Sequence, residues 1–150
     1  MTDKMIEKAK DNAKKHGYTS VEFRQGDIEK RIPADENSVD VVISNCVINL
    51  TSDKVNTFKE IYRILKPNGI GRMVISDLVT DREVTEVNSI NVEKWCSFII
   101  DGALKKENYI DSMRKAGFTD VKVLDEKPYM EMKSDDGRKI TGLMIKAIKE

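Results

Sequence analysis

The β-branched run at residues 39–43, Val-Asp-Val-Val-Ile, constrains the fold of this chain more than any other feature. Valine and isoleucine favour strands, and polar turns bound the run, so it predicts a central strand that is buried on both faces. Strands of this kind occur in sheets that helices cover on both sides. The run therefore favours an α/β layer structure.

Helical and strand patterns follow one another along the rest of the chain. Helices are predicted from Thr2 or Asp3 to Gly17, from Thr51 or Ser52 to Leu65, over residues 83–100 and over residues 109–116. Strands are predicted at residues 21–24, 73–75, 121–124 and 140–148, with the polar residues 125–139 as a hairpin connection. This order predicts a mostly parallel sheet with an antiparallel C-terminal strand pair. With 150 residues, no repeat and no linker, residues 1–150 are expected to form a single domain.

Composition excludes several classes of function. The 26 Lys and Arg residues balance the 26 Asp and Glu residues and are intermixed with them, so no basic stripe favours nucleic acid as a partner. No apolar run approaches the roughly 20 residues that a membrane-spanning helix needs. Two cysteines fifty residues apart, without a secretory leader, do not indicate a disulfide framework. We therefore expect a soluble protein of the reducing cytoplasm that has no membrane partner.

Polar residues follow three of the predicted strands, and in open α/β sheets ligands bind beyond the carboxyl ends of the strands. A carboxylate there can accept a hydrogen bond from an exocyclic amine, an isoleucine can cover an aromatic ring, and amides can donate and accept. Two of these residues also have a simpler interpretation, Asp27 as a turn former and Asn49 as a helix-approach cap. The strand-end segments are Gly26-Asp27-Ile28, Ser44-Asn45-Cys46-Val47-Ile48-Asn49 and Ser76-Asp77.

Several of these segments together resemble a known family. The runs at residues 26–29 and 32–50, the helix ending in Arg63-Ile64-Leu65-Lys66-Pro67-Asn68-Gly69, and Ile75-Ser76-Asp77 are similar to the second half of S-adenosylmethionine-dependent class I methyltransferases. Within that superfamily, residues 44–50, Ser-Asn-Cys-Val-Ile-Asn-Leu, most resemble arsenite methyltransferases. The resemblance implies a truncated Rossmann-like methyltransferase sheet and S-adenosyl-L-methionine as cofactor.

The resemblance also implies roles for individual residues. Asp27 and Ile28, with Gly26 before them, would meet the adenine of the cofactor. Asn45 would line its methionine side, with Val47 close by. Cys46 would be a thiolate ligand of trivalent arsenic, a soft centre that prefers sulfur. Its alternative role is that of an ordinary buried cysteine.

A second arsenic-binding thiol is expected from the family pattern, at the position that Ile99 occupies here. Cys96 lies three residues earlier, and so one helical turn back if residues 95–100 form a helix. Cys96 is therefore a candidate substitute for the second catalytic thiol, or else a buried bystander.

The resemblance begins part-way into the family's fold. Family members have an earlier strand, Gly-rich loop, helix and second strand, and the eight glycines here include no G-x-G-x-x-G motif. Three functions are therefore considered: methyl transfer to arsenite, methyl transfer to a small organic acceptor, and a truncated, inactive binding or regulatory domain. The missing strands would leave an open sheet edge, which we expect residues 21–24 to close by pairing with residues 39–43, or a homodimer to cover.

Overall fold

The computed structural model describes residues 2–82, 102–133 and 139–150, and the side chains of all of these except 130–133. The helices are α1 (Asp3–Lys15), α2 (Lys54–Ile64) and α3 (Lys106–Lys115), and a short 3-10 helix spans Ile48–Leu50. The strands are β1 (Val41–Asn45), β2 (Arg72–Thr80), β3 (Asp120–Lys133) and β4 (Lys139–Ile148). These elements confirm the α/β class.

The four strands form one sheet in the order β1-β2-β4-β3. Strand β1 runs parallel to β2, with Val41 opposite Arg72 and Asn45 opposite Ser76. Strand β4 is antiparallel to both of its neighbours. Strands β1, β2 and β3 therefore share one direction, which confirms a mostly parallel sheet with an antiparallel C-terminal pair.

The main hydrophobic core of the described residues lies between the sheet and the helices α2 and α3. Phe58 and Ile61 of α2 lie three residues apart on one face of the helix, and both are buried. Tyr109 of α3 meets Phe58 edge to face, with ring centroids 5.6 Å apart. The cluster also contains Leu65, Met73, Ile75, Val79, Met113, Phe118, Leu143, Ile145 and Ala147.

The opening helix is confirmed, and it ends as predicted. Gly17 follows the C-cap His16 with a φ of +70°, a left-handed conformation that glycine adopts without a Cβ clash. Only Ala13 of α1 is buried. In the part of the chain that the structure describes, no helix is long and apolar enough to cross a membrane.

The predicted strand at residues 21–24 is wrong. This segment is irregular, and the Arg24 guanidinium binds the Glu22 carboxylate and the carbonyl oxygen of Pro33 (2.7 Å). A four-residue alternation forms a strand only where a neighbour supplies the ladder of hydrogen bonds, and here the polar side chains bond locally instead. Residues 21–24 therefore do not close the edge of β1.

The central strand is displaced from its predicted bounds and is less buried than expected. Val39 makes only an isolated bridge to Leu65, and the strand runs from Val41 to Asn45. Ile43 is 78% exposed. Within the described residues β1 is an edge strand with β2 as its one neighbour, and the face that carries Val41, Ile43 and Asn45 is exposed.

The predicted hairpin connection at residues 125–139 is wrong over most of its length. Strand β3 continues to Lys133, with register shifts after Val123 and after Pro128. Bulges allow a polar stretch with a proline to stay in the ladder, which the alternation pattern does not reveal. The predicted helix at residues 83–100, with Cys96 and Ile99, lies outside the described residues.

Candidate active site

Cys46 lies directly after β1, beside β2, where the pairing of the two parallel strands ends at Asn45 and Ser76. Its backbone N–H donates to the carbonyl oxygen of Ser76 (2.9 Å). Its φ is +53°, a left-handed conformation that is uncommon for a residue with a Cβ. The side chain is half-buried, and Cys46 is a free cysteine. The predicted position of the thiol at this strand end is therefore confirmed.

A buried carboxylate, Asp77, lies behind Cys46 at the end of the same strand pair. Asp77 is 2% exposed. Its oxygens accept hydrogen bonds from the N–H of Leu78 (3.1 Å), the N–H of Asn49 (3.2 Å) and the hydroxyl of Tyr109 (3.1 Å). Burial raises the pKa of Asp77, and these three bonds oppose the rise. Burial, with the nearby Asp77 charge, also raises the pKa of Tyr109 well above its ordinary value.

A buried ammonium group, Lys54, binds the backbone of the same loop. Its Nζ donates to the carbonyl oxygens of Thr51 (3.0 Å) and Asn49 (3.5 Å). Burial lowers the pKa of Lys54, while the charges of Asp77 and Glu29 act in the opposite direction. The loop from Cys46 to Lys54 is thus flanked by two buried groups of opposite charge.

The Cys46 thiol responds to this environment. Burial raises its pKa, and the Asp77 carboxylate raises it further because a second negative charge nearby is unfavourable. At neutral pH the side chain is therefore a protonated thiol. A thiol in this form still exchanges with a hydroxide ligand on a soft centre, because its proton can leave with that hydroxide as water.

Asn49 is bound to β2 and does not cap a helix. Its Nδ2 donates to the carbonyl oxygen of Leu78 (2.7 Å). The cap of α2 is Asp53, whose carboxylate accepts from the N–H of Asn56 (2.8 Å). The Oδ1 of Asn49 is buried and has no hydrogen-bond partner among the described residues.

The residues expected to bind the cofactor adenine lie in a turn. Asp27 accepts from the N–H of Glu29 (3.0 Å) through Oδ1, and its Oδ2 lies 3.4 Å from the Nζ of Lys30. These contacts support its alternative role as a turn former. A Cβ on Gly26 would lie 2.6 Å from Cδ of Pro33, so the turn itself requires glycine. Ile28 is half-buried against the core.

Asn45 and Val47 flank Cys46, and both are exposed, Val47 by 42%. The amide of Asn45, the apolar side chain of Val47 and the exposed carboxylate of Asp27 are groups of the kinds that can contact an amine-bearing organic ligand. No hydrogen bond or ion pair joins Asp27 to Cys46 in the described part of the chain. Cys96 lies outside it.

Sequence reasoning missed two residues of this site, Lys54 and Tyr109. The helical pattern over residues 109–116 places Tyr109 in a helix, but nothing in that pattern identifies the partner of its hydroxyl. The sequence does indicate that Asp77 has buried hydrogen-bond partners, because a charged residue inside the apolar run of β2 needs them. Among the described residues, no group of three His, Cys, Asp or Glu side chains could hold a metal ion.

Comparison with known proteins identifies the family. Residues 1–128 match a family model described as a methyltransferase domain, and the chain belongs to this family. It is 35% identical over 135 residues to an arsenite methyltransferase of Halobacterium salinarum, covering 90% of this chain and 34% of the relative. A more distant relative, a demethylmenaquinone methyltransferase of Lactococcus lactis, is 28% identical and is covered to 50% of its length.

A solved structure extends the similarity to the fold. The crystal structure of an arsenic(III) S-adenosylmethionine methyltransferase from Chlamydomonas reinhardtii superimposes with a TM-score of 0.83 at 31% identity, covering 99% of this chain and 53% of that one. The resemblance to class I, arsenite methyltransferase-like proteins and the Rossmann-like fold are thereby confirmed. S-adenosylmethionine is confirmed as the cofactor of the family. The chain spans about a third of the arsenite methyltransferase that it matches.

Proposed function

We propose that this chain carries the acceptor side of an S-adenosylmethionine-dependent methyltransferase, and that its acceptor is trivalent arsenic bound by Cys46. The observation that supports this most is the position of the thiol: half-exposed, directly after β1 and beside β2, in a chain 35% identical to an arsenite methyltransferase.

The capture of arsenite balances as a simple exchange. The Cys46 sulfur forms a bond to arsenic, one As–OH bond breaks, and the departing hydroxide leaves as water with the thiol proton. Because its pKa is raised, Cys46 enters this step as the thiol, and its own proton leaves with the hydroxide as water. A reducing cytoplasm, the compartment that we propose, would keep the thiol free.

Asn45 and Val47 would hold the methionine side of the cofactor beside Cys46, and Asp27 with Ile28 its adenine. When bound, S-adenosylmethionine supplies an electrophilic methyl group. The residues of the chain would then orient the nucleophile and the methyl group, because methyl transfer needs a nucleophile aligned at near-attack distance and little acid–base help.

Calorimetric titration with arsenite, followed by titration with S-adenosylmethionine, tests the proposal. We expect weak arsenite binding, because a soft centre gains most from two or three thiolates, and this chain has one cysteine that matches the family pattern, Cys46, and one displaced from it, Cys96. Cys46→Ser should remove most of the binding heat, and Cys96→Ser measures separately whether the second cysteine contributes to binding. Unchanged affinity in Cys46→Ser would refute Cys46 as the ligand.

Two alternatives give different results in the same experiment. A methyltransferase for a small organic acceptor, which the similarity to the Lactococcus lactis relative favours, would bind S-adenosylmethionine but not arsenite. A truncated binding or regulatory domain would bind arsenite without measurable affinity for S-adenosylmethionine or S-adenosylhomocysteine.

We also propose a homodimer formed through β1. Its outer edge has no partner strand among the described residues, and Ile43 and Val41 are exposed beside it. Size-exclusion chromatography with light scattering over a concentration series should show a dimer that Ile43→Lys dissociates. The control is Ile70→Lys, at a residue that is 52% exposed and lies outside the strand. A wild-type monomer at every concentration would refute the dimer.

A further inference from the structure

The loop that carries Cys46 is bound to β2 at three points, just beyond the last residue pair of β1 and β2. The N–H of Cys46 donates to the carbonyl oxygen of Ser76 (2.9 Å). Asn49 contributes the other two bonds, from its N–H to Asp77 Oδ2 (3.2 Å) and from its Nδ2 to the carbonyl oxygen of Leu78 (2.7 Å). The position of Cys46 relative to β2 therefore depends on Asn49, three residues further along the chain.

Two buried charges hold the backbone of Asn49 from opposite ends. Asp77 accepts from its N–H, and Lys54 donates to its carbonyl oxygen (3.5 Å). Both charged residues are buried, at 2% and 8% exposure. Buried charges are unfavourable unless they are paired and hydrogen-bonded, so this arrangement is more than the core requires for packing.

The backbone of Cys46 needs such support. A φ of +53° is sparsely populated for a residue with a Cβ, and conformations of this kind persist only where the surrounding structure holds them. They are common where a side chain must be presented at a functional site. Here the left-handed turn comes between the end of β1 and the loop that Asp77 binds.

We propose that Asp77 is a positioning residue for Cys46: through its bond to the Asn49 N–H, it holds the left-handed turn that presents the thiol at the end of the sheet. Tyr109 and Lys54 assist, Tyr109 by donating to the same carboxylate oxygen (3.1 Å) and Lys54 by binding the far end of Asn49. The relevance of this positioning to arsenite binding rests on the function proposed above. The effect of Asp77 on the loop geometry does not depend on that function.

Amide hydrogen exchange, measured by NMR, tests the proposal independently of any ligand. In Asp77→Ala we expect the Cys46 and Asn49 amides to exchange at least tenfold faster relative to the core amides Ile75 and Ile145. Asp77→Asn should retain most of the protection, because its amide oxygen can accept the same bond. This rescue by the conservative variant separates positioning from a general loss of stability.

Lys149, near the C-terminus, provides a control variant. Lys149 is 7% exposed and donates to Asn37 Oδ1 (2.7 Å) and to the carbonyl oxygen of Tyr62 (2.8 Å). Lys149→Met removes a similarly buried charge from a separate network. It should change exchange across the core without a selective effect on Cys46 and Asn49.

Two results would overturn the proposal. One is that Asp77→Ala raises exchange at Cys46 and Asn49 only by the factor seen in the core. The other is that Lys149→Met loosens the loop equally. If Asp77→Ala does not fold, Tyr109→Phe replaces it, with a selective increase at Asn49 expected and no selective increase contradicting the proposal.

Arsenite titration of the same variants then separates this proposal from the previous one. A selective loosening of the loop with weaker arsenite binding supports both proposals. A selective loosening in a protein whose wild type does not bind arsenite supports the positioning role and refutes the proposed acceptor.

Discussion

The hydroxyl of Tyr109 permits a sharp test of the buried network. Tyr109 is 1% exposed, and its hydroxyl donates to Asp77 Oδ2 at 3.1 Å. Tyr109→Phe keeps the ring, and with it the packing against Phe58, while removing only that donor. Oδ2 is then left with one partner, the N–H of Asn49.

The expected loss follows from the charge and the length of this bond. Hydrogen bonds to charged groups contribute about 1.5–3 kcal/mol to stability. The distance is longer than the roughly 2.5–2.7 Å of a strong hydroxyl–carboxylate bond, so we expect the lower part of that range, about 1.5–2 kcal/mol at pH 7. At low pH, where Asp77 is protonated, the loss should fall to about 1 kcal/mol, the value of a bond between neutral groups.

Urea unfolding at pH 7 and at progressively lower pH measures this loss. Tyr62→Phe is the matched control, because its half-buried ring packs on Phe118 (5.0 Å between centroids) and its hydroxyl makes no hydrogen bond among the described residues. The control should change the free energy of unfolding by less than about 0.5 kcal/mol. A loss in Tyr109→Phe no larger than that of the control would refute the proposed hydrogen bond to a charged Asp77.

Three further predictions concern single positions. The folded pKa of Asp77 is raised, so its contribution to stability is full below the unfolded pKa and is lost as the pH rises through the folded pKa. Wild type should therefore gain stability over Asp77→Asn as the pH falls. A stability difference between the two proteins that does not change with pH would contradict this. Phe58→Ala should cost about 3–5 kcal/mol of unfolding free energy in urea titrations, because Phe58 is fully buried, and a cost below about 1 kcal/mol would show that the packing differs. Alkylation of Cys46 by iodoacetamide at pH 7.5, followed by mass spectrometry, should be slower than that of a free thiol because the pKa of Cys46 is raised. Asp77→Asn should accelerate the alkylation of Cys46. Equal rates in wild type and Asp77→Asn would exclude the influence of Asp77.

Local patterns identified most of the regular structure. The helical stripes that predicted α2 and α3 are the ones that the core buries, and Gly17 and Gly117 both follow helices with positive φ. The short alternation at residues 21–24 did not form a strand, since a strand needs a neighbour and its side chains bond locally. The extension of β3 to Lys133 depends on its pairing with β4, which local composition does not encode.

The sequence by itself determined the α/β class, the family, and the position of Cys46 directly after a β-branched strand. These follow from residue type and spacing along the chain, which need no knowledge of distant contacts. Tertiary structure alone decided that Asp77, Tyr109 and Lys54 meet around the Cys46 loop, since the Asp77–Asn49 bond joins residues 28 positions apart and the Asp77–Tyr109 bond joins residues 32 apart. It also decided the surroundings of β1, because the burial of a strand is set by which elements pack against it and not by its own hydrophobicity.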